Sequence, residues 1–275
     1  MQTMLLSAEI IAQRVFNPLY IYLDIVFLIG LCVLLAVKKK YLTLIFGLCG
    51  GVLYMIVDYG IFHWATHSRE IFYNGAEGGE LLMFGVLLWM SLSYGITNFV
   101  WIWLWFARDR HKFEFTLLII VWWIAAPLLA GTFGANLPPI KIQRTTGAYH
   151  GYMALILLVG YVGAIVYNLF CREKEKRFPL LWLLATGIAV QFGWEFSLLL
   201  GGIRSAEFVS VADKIMTLVV NSLLETNLGA VPIYCIYAFI TARFTENLQK
   251  REKVAFTARI AELNATKIFN NRNEA

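Results

Sequence analysis

The chain has 275 residues, 59% of them apolar and 15% charged, with a formal net charge of +5. Soluble domains carry about 25% charged residues, so this composition excludes an ordinary soluble fold and predicts a polytopic membrane protein, placed in a cell membrane such as a bacterial inner membrane. The apolar runs are continuous rather than alternating, which excludes a transmembrane β-barrel.

Residues 1–16 carry Glu9 and Arg14 inside a short apolar stretch with no basic segment ahead of it. They read as an extracytoplasmic amphipathic lead-in rather than a cleaved signal. Apolar runs long enough to span, roughly 20 residues each, follow at 17–37, 41–64, 80–107, 114–133, 149–170, 178–202 and 214–241. The fold class is therefore all-α, with a transmembrane domain of seven helices over 17–242. The connection from Phe133 to Gly151 is long, and it is expected to fold over the end of the bundle. Residues 243–275 form a basic tail in which Val254, Ala255, Ile260, Leu263 and Ile268 make one face of a surface helix.

Orientation follows from the basic residues. Lys38, Lys39, Lys40, Arg108, Arg110, Lys112, Arg172, Lys174, Lys176, Arg177 and the basic tail fall on one side. That side is cytoplasmic, the N-terminus is outside and the C-terminus inside. The bias accounts for the net charge, and no nucleic-acid partner is expected; the bilayer is the expected partner. Cys32, Cys49, Cys171 and Cys235 lie in spans or near their cytoplasmic ends, where disulfides do not persist. No two of them have metal-site spacing.

Polar groups interrupt the spans. The second carries Asp58, Tyr59, His63 and His67, the third Glu80, Ser91 and Asn98, and the fifth His150, Tyr161 and Asn168. The sixth carries Gln191, Trp194 and Glu195, and the seventh Thr217, Asn221, Glu225 and Asn227. Hydrocarbon offers no partner to a donor or a charge, so these stripes are expected to converge on one polar cavity open to the outside. Asp58, Glu195 and Glu225 would sit deepest. Asn98, Asn227, Gln191, Asn221, Trp194, Tyr59, Ser91 and His150 are the expected ligand contacts, with Trp64 as a further wall. The fourth span has no ionisable group in "LLIIVWWIAAPLLAG" and is expected to face lipid all round. Trp101, Trp103 and Trp105 read as an interfacial belt.

The first three and last three spans look like two copies of one unit, about 17–107 and 149–241, joined by a linker at 114–133. Tyr22 and Gly30 match Tyr152 and Gly160. Lys40-Tyr41 stands as far before Asp58-Tyr59 as Arg177-Phe178 before Glu195-Phe196, with Gly50 matching Gly187; "SYGITN" aligns with "SLLETN". In this plan of three, one and three helices the chain resembles the SWEET sugar transporters and PnuC-type vitamin transporters. In SWEETs an asparagine pair from the third and seventh helices faces the substrate, and Asn98 and Asn227 match that placement. The resemblance implies a small-solute permease, with a carboxylic acid available for proton coupling.

Two enzymatic alternatives stand beside it, so whether the chain is an enzyme is left open, as are its ligand and oligomeric state. "GWEF" (Gly193 to Phe196) resembles the Trp-Glu of fungal membrane-bound terpene cyclases, which implies acid catalysis by Asp58, Glu195 or Glu225 on a lipid-like ligand. The lycopene-cyclase Pro-x-Glu pattern is absent. A His-x-x-x-His pair, His63 and His67, presents two metal ligands, as in the seven-helix zinc hydrolases, whose pair lies in the last helix. No cofactor is expected apart from a metal ion in that reading.

Overall fold

The computed structural model describes residues 12–145, 150–204 and 211–244; the first eleven residues of the lead-in and the tail from 245 lie outside them. Among the described residues, seven helical units are long and apolar enough to cross a membrane. They are α1 (Pro18–Val37), α2 (Tyr41–Met55) continued by a π-helical segment (Ile56–Ala65), α3 (Glu80–Phe106), α4 (Lys112–Phe133), α5 (His150–Phe170) and α6 (Leu180–Leu200). The last crossing is made by α7 (Val211–Leu224) and α8 (Asn227–Arg243). The expected spans match these elements to within a few residues.

Four short strands were not expected. They are β1 (Ala12–Phe16), β2 (Arg69–Tyr73), β3 (Ala76–Glu77) and β4 (Ile140–Arg144), in an antiparallel sheet ordered β1-β4-β2-β3. The sheet gathers three connections at one end of the bundle, and β4 is the part of the 133–151 connection that crosses that end. Burial alternates along the strands: Arg14 and Phe16, Arg69 and Ile71, and Ile140, Ile142 and Arg144 point inward. This is the period-two pattern of a sheet with one covered face. The backbone N–H of Val15 also donates to Ile203 O at 2.9 Å, tying β1 to the end of α6.

Local chemistry sets the helix ends. Asn17 caps α1 by accepting from Tyr20 N, with Pro18 in the first turn. Its Nδ2 donates to Ala130 O and Gly134 O at 2.9 Å each, so one amide closes the start of α1 and the end of α4.

α3 is the central helix, with 61% of its most apolar window buried against 6% for α5. It lies closest to α2. A Cβ on Gly95 would stand 2.6 Å from Gly51 Cα and 2.8 Å from Gly50 O, so only small residues permit this backbone approach. Trp101 and Trp103 are buried inside the bundle, not in an interfacial belt, because α3 is enclosed at that depth by its neighbours. α4 is not lipid-facing all round either. Phe115, Ile119, Trp123, Ala126, Pro127 and Ala130 form a buried stripe, and the helix packs on α1, α3 and α6. An apolar helix satisfies lipid and protein equally, so composition could not reveal which side it buries.

Candidate functional site

Where the sheet meets the bundle there is a cavity of about 210 Å³. Its walls come from α2 and its π-helical continuation (Leu53, Tyr54, Val57, Asp58, Phe62), α3 (Tyr94, Asn98, Phe99, Ile102), α6 (Gln191, Trp194) and the α7–α8 junction (Glu225, Thr226, Leu228, Gly229, Ile233). Met153 of α5 adds one edge, and Arg14, Arg69 and Arg144 descend from the sheet.

Two spans lose regular α-geometry at this cavity. The second becomes π-helical from Ile56, two residues before Asp58. The seventh breaks at Glu225 and Thr226 between α7 and α8. π-Segments concentrate at functional sites, and irregular backbone at membrane depth is tolerated where it lines a cavity or is buried in protein.

The acids are held as follows. Asp58 Oδ1 accepts from Arg69 Nη2 at 2.8 Å, with both side chains nearly inaccessible. Glu195 is paired with Arg204, which lies just past the end of α6. Glu225 instead accepts from the neutral amide of Gln191, Nε2 to Oε2, at 2.6 Å; Thr226 Oγ1 donates to Gln191 Oε1 at 2.7 Å. In the amide orientation that satisfies it, Asn221 presents its oxygen to Arg204 at 3.0 and 3.2 Å. Two acids are therefore fixed by guanidinium groups, and the third is fixed by an amide.

The arginines outnumber the acids. Arg14, Arg69, Arg144 and Arg204 are all buried, and they face Asp58, Glu195 and Glu225. Arg69 and Arg144 are directly opposed in the register of β2 and β4, a like-charge pairing that destabilises a sheet unless neutralised. Arg14 Nη1, Arg69 Nε and Arg144 Nε have no hydrogen-bond partner among the described residues. Arg14 lies over the rings of Trp194 and Tyr94, 5.7 and 6.0 Å from their centroids. Burial, then the adjacent Arg144, pull its pKa down to about 9; the same two causes bring Arg69 to about 10. Both remain protonated at neutral pH. A buried, incompletely paired ion costs on the order of several kcal/mol.

Of the residues expected at the site, Asp58, Asn98, Gln191, Trp194 and Glu225 line the cavity. Glu195 and Asn221 sit behind it in the same network. Asn227 turns away: its Oδ1 accepts from Tyr161 at 3.5 Å, and its side chain packs on Gly187. Ser91 is fully buried in α3 and His150 half-buried in α5, neither of them lining the cavity. Asn168 brackets Phe178 at the opposite end of the bundle. Trp64 is 74% exposed and is no cavity wall.

Tyr59 and His63 form a separate cluster with Glu80, donating or bonding at 2.7 and 3.0 Å. His67 does not share the His63 face. It lies beyond the last helical residue with φ +50, because the π-segment ends at Ala65. Among the described residues no three His, Cys, Asp or Glu side chains gather as metal ligands.

The four arginines are what sequence reading missed, although a signal was present. Apart from Lys141 and Lys214, they are the basic residues that fall outside the set expected to be cytoplasmic. No family model, curated protein or solved structure matches the chain. The likeness to SWEET, PnuC and cyclase proteins therefore rests on plan and residues alone.

Proposed function

We propose that this is a multi-pass membrane protein that binds a small solute in the cavity beneath the sheet and passes it across the bilayer. The sheet end faces outside and the lysine-rich connections face the cytoplasm. The observation that carries the reading is the convergence of two interrupted spans, at Asp58 and at Glu225–Thr226, on one cavity. Discontinuous helices at mid-depth are the usual substrate sites of secondary transporters.

An internal repeat supports it. Each half pairs an acid of its second span with an arginine beyond that span's outer end: Asp58 with Arg69, Glu195 with Arg204. In each half a glycine of the second span receives a side chain of the third, Phe99 at Gly50 and Asn227 at Gly187. Each half also begins with a strand carrying Gln-Arg, Gln13-Arg14 and Gln143-Arg144. Their spacing is the one that separates Tyr22 from Tyr152 and Gly30 from Gly160. In the β1–β4 register Gln13 lies opposite Gln143. A twofold axis through that pair, perpendicular to the sheet, exchanges Arg14 with Arg144, as a parallel repeat about the membrane normal requires.

The enzymatic reading has one specific observation behind it. Glu225, unlike Asp58 and Glu195, has no guanidinium ion pair among the described residues, its partner being the amide of Gln191, and a carboxyl not committed to an ion pair is the one available for proton transfer. The two readings separate by access. With the four native cysteines replaced by serine, Asn98→Cys in proteoliposomes is treated with a membrane-impermeant thiol reagent from each side. Transport requires labelling from both sides; labelling from one side alone leaves the binding or catalytic reading and removes transport.

A further inference from the structure

We infer that the solute is a small organic monoanion, a carboxylate with a compact apolar body, whose charged group is held between Arg14 and Arg144 under the sheet. The inference rests on the solute-binding reading and names its ligand class.

Three observations carry it. The first is charge. Four buried guanidinium groups meet three carboxylates among the described residues, leaving one positive charge that a monoanion cancels and a dianion overshoots. The second is unmet hydrogen bonding. Arg69, despite an unmet Nε, and Arg204 are ion-paired with Asp58 and Glu195, whereas Arg14 and Arg144 have no ion pair, and Arg14 Nη1 and Arg144 Nε are buried donors with no acceptor, among the described residues. Both arginines line the cavity. A carboxylate matches the planar guanidinium fork and accepts from two such groups at once. The third is shape. Below the arginines the wall is apolar, formed by Phe99, Ile102, Leu228 and Ile233. The volume of about 210 Å³ holds roughly seven water-sized groups at about 30 Å³ each. That accommodates a branched or aromatic acid of modest size.

A purely structural role for these arginines, pinning the sheet to the bundle, predicts the opposite stability effect. A pin lowers stability when removed; an unpaired buried charge raises it. The test uses the full-length protein in nanodiscs, with thermal denaturation and titration calorimetry as readouts. The probes are 4-methylpentanoate and phenylacetate, their neutral amides, monobutyl phosphate and dihexanoyl phosphatidic acid. The acids are expected to raise the melting temperature of the wild type and the amides to leave it unchanged. Arg14→Gln and Arg144→Gln should each weaken acid binding about tenfold to hundredfold, without lowering the melting temperature of the ligand-free protein. Arg14→Lys, which keeps the charge, should retain part of the response. Equal effects of acid and amide, or no effect of any acid, overturn the inference. So does a response confined to the phosphate probes, or a ligand-free protein destabilised by both glutamine variants while acid binding persists. One-sided labelling of Asn98→Cys would remove transport and leave this binding test standing.

Discussion

Replacing Asp58 by asparagine tests whether the acid pairs of this site hold the sheet to the bundle. Asp58 Oδ1 lies 2.8 Å from Arg69 Nη2, and the two side chains are 7% and 1% exposed. Removing one partner of a buried pair typically costs about 3–5 kcal/mol, because the other charge is left without compensation. Arg69 keeps two longer bonds, to Ser68 O at 3.2 Å and Ser68 Oγ at 3.3 Å, which places the expectation near the lower end, about 3 kcal/mol. At the ~2–4 °C per kcal/mol of a domain this large, the melting temperature should fall by about 6–12 °C. Thermal denaturation followed by tryptophan fluorescence reads this directly, since Trp194 borders the cavity. The double variant Asp58→Asn/Arg69→Met removes the orphaned cation and relieves its opposition to Arg144, so it should recover most of the loss. Additive losses in the double variant would refute the pairing argument. Full recovery of stability with acid binding retained would make Asp58 a positioning residue and not a proton carrier.

Glu225→Gln keeps a hydrogen-bonding group beside Gln191 but removes a negative charge from the cavity. Affinity for 4-methylpentanoate should rise severalfold by calorimetry; an unchanged affinity would mean that Glu225 is electrostatically remote from the ligand. Gly95→Ala forces α2 and α3 apart, since its Cβ meets backbone atoms of Gly50 and Gly51 at 2.6–2.8 Å, and should cost about 1–3 kcal/mol. Gly30→Ala, with nothing within 4 Å of its Cβ, is the matched control and should not destabilise. Gln143→Cys in the four-serine background should react with an impermeant thiol reagent in intact cells if the sheet faces outside, and only in inverted vesicles if the orientation is reversed.

The helices were legible because an apolar run of spanning length has few other uses. The sheet was not, although "IKIQR" alternates apolar and polar residues; five residues of alternation are a short signal beside twenty of continuous hydrophobicity. Asp58, Asn98, Gln191, Trp194 and Glu225 were readable because polar groups in a span must look inward. The same logic misplaced Asn168 and Trp64. Both stand near span ends, Asn168 beside the loop that it brackets and Trp64 exposed at the close of the π-segment. There polarity or amphipathic character does not compel burial in the bundle. Glu80 and His63 satisfy each other locally for the same reason. His67 failed for a different one: an i,i+4 spacing guarantees a shared face only while the α-helix lasts, and the chain leaves helical geometry at Thr66.

The arginines mark the limit of reading spans one at a time. Each lies in or beside a connection, where an arginine ordinarily costs nothing and explains nothing. Their meaning comes from two relations that no single segment contains. One is the side of the membrane: in the proposed orientation most basic residues are cytoplasmic, which makes the six exceptions informative, and four of those six are buried together. The other is the proposed repeat. In it Asp58–Arg69 and Glu195–Arg204 correspond, each pair lying within one half. Arg14 and Arg144 correspond in that repeat too, but among the described residues neither has a carboxylate in ion-pair contact. A duplicated unit that neutralised all its own charges would have no residual field at its axis. On the proposed repeat, the two arginines without an ion pair lie on the paired strands β1 and β4, so the positive potential falls where a single ligand would touch both halves at once.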